Sequence, residues 1–122
     1  SPEFTMLKGE IWSSIGHCAL LLDDLPRSFS AFQQSLQLMG SPKDPSIWFA
    51  IGLLYDRYGA EELAREAFLI TLRFEQNSRK PEAPPTSRER EIYYRLGLIY
   101  KSLKKWNLAH EVFPFWVFCM IY

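Results

Sequence analysis

Much that most function classes need is missing or scarce in this sequence. Lys plus Arg (14) balance Asp plus Glu (14), so neither sign of charge is in excess. That argues against a dedicated nucleic-acid binder, whose affinity rests on neutralising phosphates. No run approaches the ~18 apolar residues that span a bilayer, and no signal peptide opens the chain, so no membrane contact is expected. No P-loop, GxSxG, HExxH or dinucleotide fingerprint occurs. With two cysteines and two histidines, spread through the chain, the roughly four ligands of a zinc site are not available together. No metal, cofactor or catalysis is expected. The cysteines Cys18 and Cys119 could form one disulfide. A helical domain of this apolar content needs no such staple, so two reduced thiols in an intracellular compartment is the preferred reading.

Several charged groups invite a chemical reading that helix physics explains better. Asp23–Asp24 and Glu61–Glu62 stand where second helices are expected to begin. Carboxylates there interact favourably with the helix dipole and cap its open N–H groups. Lys101, Lys104 and Lys105 read as a solvated helix end.

What the chain does have is apolar content and repetition. It is 48% hydrophobic and 16% aromatic across 122 residues, enough for a packed domain. Aligning Gly16, Gly52 and Gly97 brings other positions into register. Trp12, Trp48 and Tyr93 precede them; Ala19, Tyr55 and Tyr100 follow. Further on stand Ser28, Ala64 and Ala109, then Phe32, Phe68 and Phe113. The step from Trp12 to Trp48 is 36 residues and from Trp48 to Tyr93 it is 45. The first is close to the ~34-residue tetratricopeptide period. The second is that period with an insertion, the polar, proline-bearing segment 75–87.

Helix punctuation fits the same units. Asp44–Pro45 and Asp24 with Pro26 are helix starts, Thr86 with Glu89 is a capping box, and Gly59 is a helix stop. Helices are expected near 8–22, 26–39, 45–58, 61–74, 88–103 and 105–113. The fold class is therefore all-α, with three stacked helical hairpins at about 9–42, 45–74 and 88–113; the resemblance to tetratricopeptide repeats implies that they form a tetratricopeptide-repeat superhelix. Small residues such as Gly52 and Ala64 allow close helix approach, and Trp48, Tyr55 and Phe68 fill the space between. One hairpin cannot bury its apolar face alone, so neighbours complete the core. The opening SPEF (1–4) resembles a vector-derived remnant and is set aside from fold reasoning.

The ending PFWVFCMIY, 114–122, departs from the third repeat. Pro114 is expected to break or kink the last helix. Two readings of this apolar tail stand: a non-native ending, or a segment that covers the last hairpin or meets a second chain in self-association.

The phrases GHCALLLDDLPRSFSAFQQSL, LLYDRYGAEELAREAF and EIYYRLGLIYKSLKKWNLAHEVF resemble consecutive repeats of the tetratricopeptide subunit of the fungal general transcriptional corepressor, the glucose-repression mediator type. The resemblance to tetratricopeptide repeats in general spans about Leu7 to Phe113, and the corepressor resemblance makes the chain three repeats of a longer array. It implies a nuclear, non-enzymatic adaptor that binds a WD40 corepressor subunit and DNA-bound repressors, without direct nucleic-acid contact. Related phrasing in the repeat region of JmjC histone lysine demethylases is the alternative. The family groove, carried onto this chain, takes Ser13, Ser14 and His17 from the first unit. It takes Phe49, Ala50, Leu53, Asp56 and Arg57 from the second, and Tyr94, Arg95, Leu98 and Lys101 from the third. Such a mixed surface suits an amphipathic helix or extended peptide. The carboxylate clamp of co-chaperone repeats is not expected. Its positions are Ser13, His17, Ala50, Glu91 and Arg95 here, and only Arg95 fits.

Overall fold

The computed structural model describes residues 1–40 and 44–121, with side chains through residue 116. The described residues form six α-helices and no strand: α1 Pro2–Leu21, α2 Leu25–Met39, α3 Pro45–Tyr58, α4 Glu61–Ser78, α5 Ser87–Ser102 and α6 Trp106–Ile121. The chain divides into two compact units, Ser1–Ala67 and Phe68–Tyr122, with the boundary inside α4.

The helix starts follow the side-chain chemistry. Asp24 accepts from the Arg27 N–H (3.3 Å), and Asp44 accepts from the Ser46 N–H (2.9 Å) ahead of Pro45. Thr86 and Glu89 form the reciprocal capping box that opens α5. Each capped N–H would otherwise lack a partner at the helix mouth.

The turns between paired helices share one design. Asp23, Gly59 and Lys104 all hold left-handed backbone, with φ of 60°, 77° and 59°. In each turn the next N–H reaches back to the preceding helix: Asp24 to the Ala19 carbonyl (2.8 Å), Ala60 to Tyr55 (2.9 Å) and Lys105 to Tyr100 (2.8 Å). This closure satisfies carbonyls that a helix end leaves open. The three turns are separated by the same 36- and 45-residue steps as the aromatic residues.

In the first unit α1 and α2 pack antiparallel on glycines. A Cβ at Gly16 would lie 2.9 Å from the Phe32 ring, and one at Gly9 would collide with Met39. Two buried serines complete the contact. Ser28 Oγ donates to the Gly16 carbonyl (2.9 Å) and Ser35 Oγ to the Gly9 carbonyl (2.8 Å). Both hydroxyls are fully enclosed, and each would be costly without its acceptor. Beyond them Leu20, Phe32, Ile47, Ala50, Ile51, Leu54 and Ala67 form the core of the unit. Arg57 ties α3 to the end of α1, donating to the Leu20 carbonyl (2.7 Å) and pairing with Asp23 (3.3 Å).

In the second unit the Phe113 ring fills the space over Gly97, where a Cβ would clash. Tyr93 stacks on Phe115 at 5.5 Å, and Tyr94 meets Trp116 at 5.7 Å. The turn from α4 to α5 is held by ion pairs. Arg79 grips the buried Glu89 through Nε–Oε1 (2.7 Å) and Nη2–Oε2 (3.2 Å), and also donates to the Ala83 carbonyl (3.1 Å). Glu75 accepts from Arg88 (2.8 Å) and from the Thr86 hydroxyl (3.2 Å).

Three boundaries differ from expectation. Helix α1 begins at Pro2 rather than near residue 8, because Ser1 caps it, accepting from the Phe4 N–H (3.2 Å), and Pro2 occupies its first turn. Helix α4 continues to Ser78 rather than 74, which shortens the proline-bearing connection to 79–86. Helix α6 passes through Pro114 instead of breaking there and runs to Ile121. The proline gives up one backbone bond at a cost of about 3 kcal/mol. Aromatic packing of Phe113, Phe115 and Trp116 on α5 offsets that loss. The tail thus covers α5 as far as Trp116. The remaining tail side chains, Cys119 among them, lie outside the described residues.

Candidate functional site

Helices α1, α3 and α5 carry the groove candidates, and the structure sorts them by local packing. On α3, Phe49, Leu53 and Asp56 are half-buried. Ala50 is buried in the core beside Ile47, Ile51 and Leu54. Arg57 is exposed but engaged with the end of α1. On α1, Ser13 is buried with its hydroxyl on the Glu10 carbonyl (2.9 Å), Ser14 is exposed, and His17 sits edge-on to Phe32 at 5.3 Å. Ser13 and Ala50 therefore serve helix packing and offer little surface to a ligand.

On α5 the candidates are more open. Tyr94, Leu98 and Lys101 are exposed at three- and four-residue steps, so they share one helix face. Arg95 pairs with Glu91 (3.1 Å) one turn away. Trp116 walls one side of Tyr94, and with Ser87, Arg90 and Glu91 they line a shallow notch of about 380 Å³. The chemistry is that of a contact surface: an aromatic, an aliphatic and paired charges. Among the described residues, no three His, Cys, Asp or Glu side chains are grouped to hold a metal ion. No described helix is long and apolar enough to cross a membrane.

Several features escaped the sequence reading. Ser35 on Gly9 repeats Ser28 on Gly16 with a seven-residue shift in each helix, a spacing that was visible but not tied to a carbonyl. The left-handed turns at Asp23 and Lys104 lack the glycine that marked Gly59. An open cleft of about 510 Å³ lies on α1 and the start of α2, around Leu7, Ile11, Ser14, Ile15 and Cys18. Of these only Ser14 was a candidate.

Paired helices joined by recurrent left-handed turns, with a ring over a glycine in the first and last pair, define an all-α protein of the tetratricopeptide helical-hairpin type. No family model matches the chain. Comparison with curated proteins bears out the corepressor resemblance. The chain is 53% identical over 73 residues to the general transcriptional corepressor ssn6 of Schizosaccharomyces pombe, a match covering 60% of this chain and 7% of that protein. It is 46% identical over 72 residues to the general transcriptional corepressor trfA of Dictyostelium discoideum, over 59% of this chain and 5% of the relative. It is 42% identical over 57 residues to the general transcriptional corepressor CYC8 of Saccharomyces cerevisiae, over 47% of this chain and 5% of the relative. The chain thus spans 5–7% of the length of the curated relatives it matches.

Proposed function

We propose that this chain is a protein-binding scaffold without catalysis of its own, working in the nucleus as part of a transcriptional corepressor. It bridges DNA-bound repressors to a WD40 corepressor subunit. The observation that carries the reading is its 42–53% identity to proteins named general transcriptional corepressors. Those names favour it over the demethylase reading. The exposed row Tyr94, Leu98 and Lys101 on α5 supports a contact surface, as do the half-buried Phe49 and Leu53 on α3. Aromatic side chains that stay partly open in the folded chain are the kind that carry binding energy at interfaces.

The test is capture of a purified WD40 corepressor subunit by the immobilised chain, repeated with Phe49→Ala and Tyr94→Ala. Each substitution is expected to weaken capture by roughly tenfold, the scale of an interface anchor. Equal capture by all three proteins refutes the groove assignment. No capture by any of them refutes the WD40 partner.

A further inference from the structure

Two contacts of one design hold α1 to α2. Toward the end of α1, the Ser28 hydroxyl donates to the Gly16 carbonyl (2.9 Å) and the Phe32 ring lies over Gly16. Seven residues earlier on α1 and seven later on α2, the Ser35 hydroxyl donates to the Gly9 carbonyl (2.8 Å) and Met39 lies over Gly9. Each contact has a glycine, a serine that bonds its carbonyl, and a large side chain in the space a Cβ would take. Only that last part differs. Phe32 is 2% exposed and holds no oxidisable atom. Met39 is the last residue of α2, is half-buried, and carries a thioether. Its Sδ would lie 2.6 Å from a Cβ at Gly9, and it accepts a second, longer bond from the Ser35 hydroxyl (3.4 Å).

From this pairing we propose that Met39 is an oxidation-sensitive modification site: conversion to the sulfoxide by a hydroperoxide opens the Gly9 end of the α1–α2 pair and leaves the Gly16 end closed. The sulfur lone pair attacks one peroxide oxygen and the O–O bond breaks. The departing hydroxide takes the proton of the transferred oxygen and leaves as water. Sulfur is oxidised by two electrons and the peroxide is reduced by two. A thioether is a weak acceptor, whereas the sulfoxide is a polar group with a strongly accepting oxygen. That oxygen forms on the atom already facing the Ser35 hydroxyl, and Ser35 has one proton to give. The proton is drawn from the Gly9 carbonyl. The same oxygen enlarges a group pressed against the α1 backbone, and it brings polarity to a side chain that packs on the core. Both effects part the two helices at Gly9. At Gly16 the covering ring offers no sulfur, so that contact persists. The site lies away from the α5 row argued for partner binding, so either reading can fail alone.

The full chain is treated with hydrogen peroxide and mapped by mass spectrometry after trypsin. Lys8, Arg27, Lys43 and Lys105 place Met6, Met39 and Met120 in separate peptides. Met6, 46% exposed on α1, is the reference for a reachable sulfur. Once Met39 is converted, amide exchange in 9–13 and 35–39 is expected to rise about fivefold, the scale of one lost buried hydrogen bond, and that in 16–20 and 28–32 less than about twofold. Met39→Leu, a volume-conserving swap, should keep both regions protected after the same treatment, although Met6 and the thiols are oxidised alike. Methionine sulfoxide reductase should restore protection in the unsubstituted chain. Met39 left as thioether when Met6 is fully converted overturns the proposal, because the sulfur is then out of reach. Unchanged exchange at full Met39 conversion overturns it too, as does equal opening of the Met39→Leu chain.

Discussion

Replacing Arg79 with alanine should loosen the second unit far more than its position in a connecting segment suggests. Glu89 is 0% exposed, and its carboxylate depends on the Arg79 guanidinium for two of its bonds and on the Thr86 N–H for a third (3.3 Å). Removing one member of such a buried pair typically costs 3–5 kcal/mol, because the remaining charge keeps its desolvation penalty. Arg79 is itself 23% exposed, so water can partly replace it. About 2–4 kcal/mol is the expected loss. The exposed Glu91–Arg95 pair, one helix turn apart on α5, is the control, and Arg95→Ala should cost under about 1 kcal/mol. Substituting both partners, Arg79→Met with Glu89→Met, should recover much of the loss, since an apolar pair carries no buried charge. Native-state hydrogen exchange reads the effect locally. Protection should fall in the first turns of α5 and the last turns of α4, while α1 and α2 keep theirs. If Arg79→Ala costs no more than Arg95→Ala, the buried pair does not fasten this turn. If the double substitution is worse than the single one, the cost did not come from an uncompensated charge.

Other expected outcomes follow from the packing. Gly16→Ala and Gly97→Ala should each destabilise the chain by about 1–3 kcal/mol in denaturant titrations, although alanine is the better helix former, because the new Cβ meets Phe32 or Phe113. Lys104→Gly should stabilise it by about 0.5–1 kcal/mol in the same titration, because a left-handed residue without Cβ carries no steric penalty. Ser35→Ala should cost about 1 kcal/mol, seen as faster amide exchange along α1 and α2, since the Gly9 carbonyl loses its added donor.

Local chemistry determined a good part of this protein from the sequence alone. Helix class, helix order and several starts follow from residue type, because a cap is set within three or four residues of itself. Asp24, Asp44 and the Thr86–Glu89 box fall where their hydroxyls and carboxylates place them. Gly16 with Phe32 and Gly97 with Phe113 were also legible, since a fixed sixteen-residue spacing recurs and the glycine leaves room for the ring. The corepressor resemblance lay in the phrases themselves. Tertiary structure decided the rest. Pro114 remains helical because rings on α5 hold the turns around it, a contact no local rule contains. Asp23 and Lys104 take left-handed backbone without glycine because the two helices they join must lie side by side. Among the groove candidates, burial removed Ser13 and Ala50 and left Tyr94 and Leu98 open. Periodicity names a helix face, but only the neighbouring helices determine whether that face is covered.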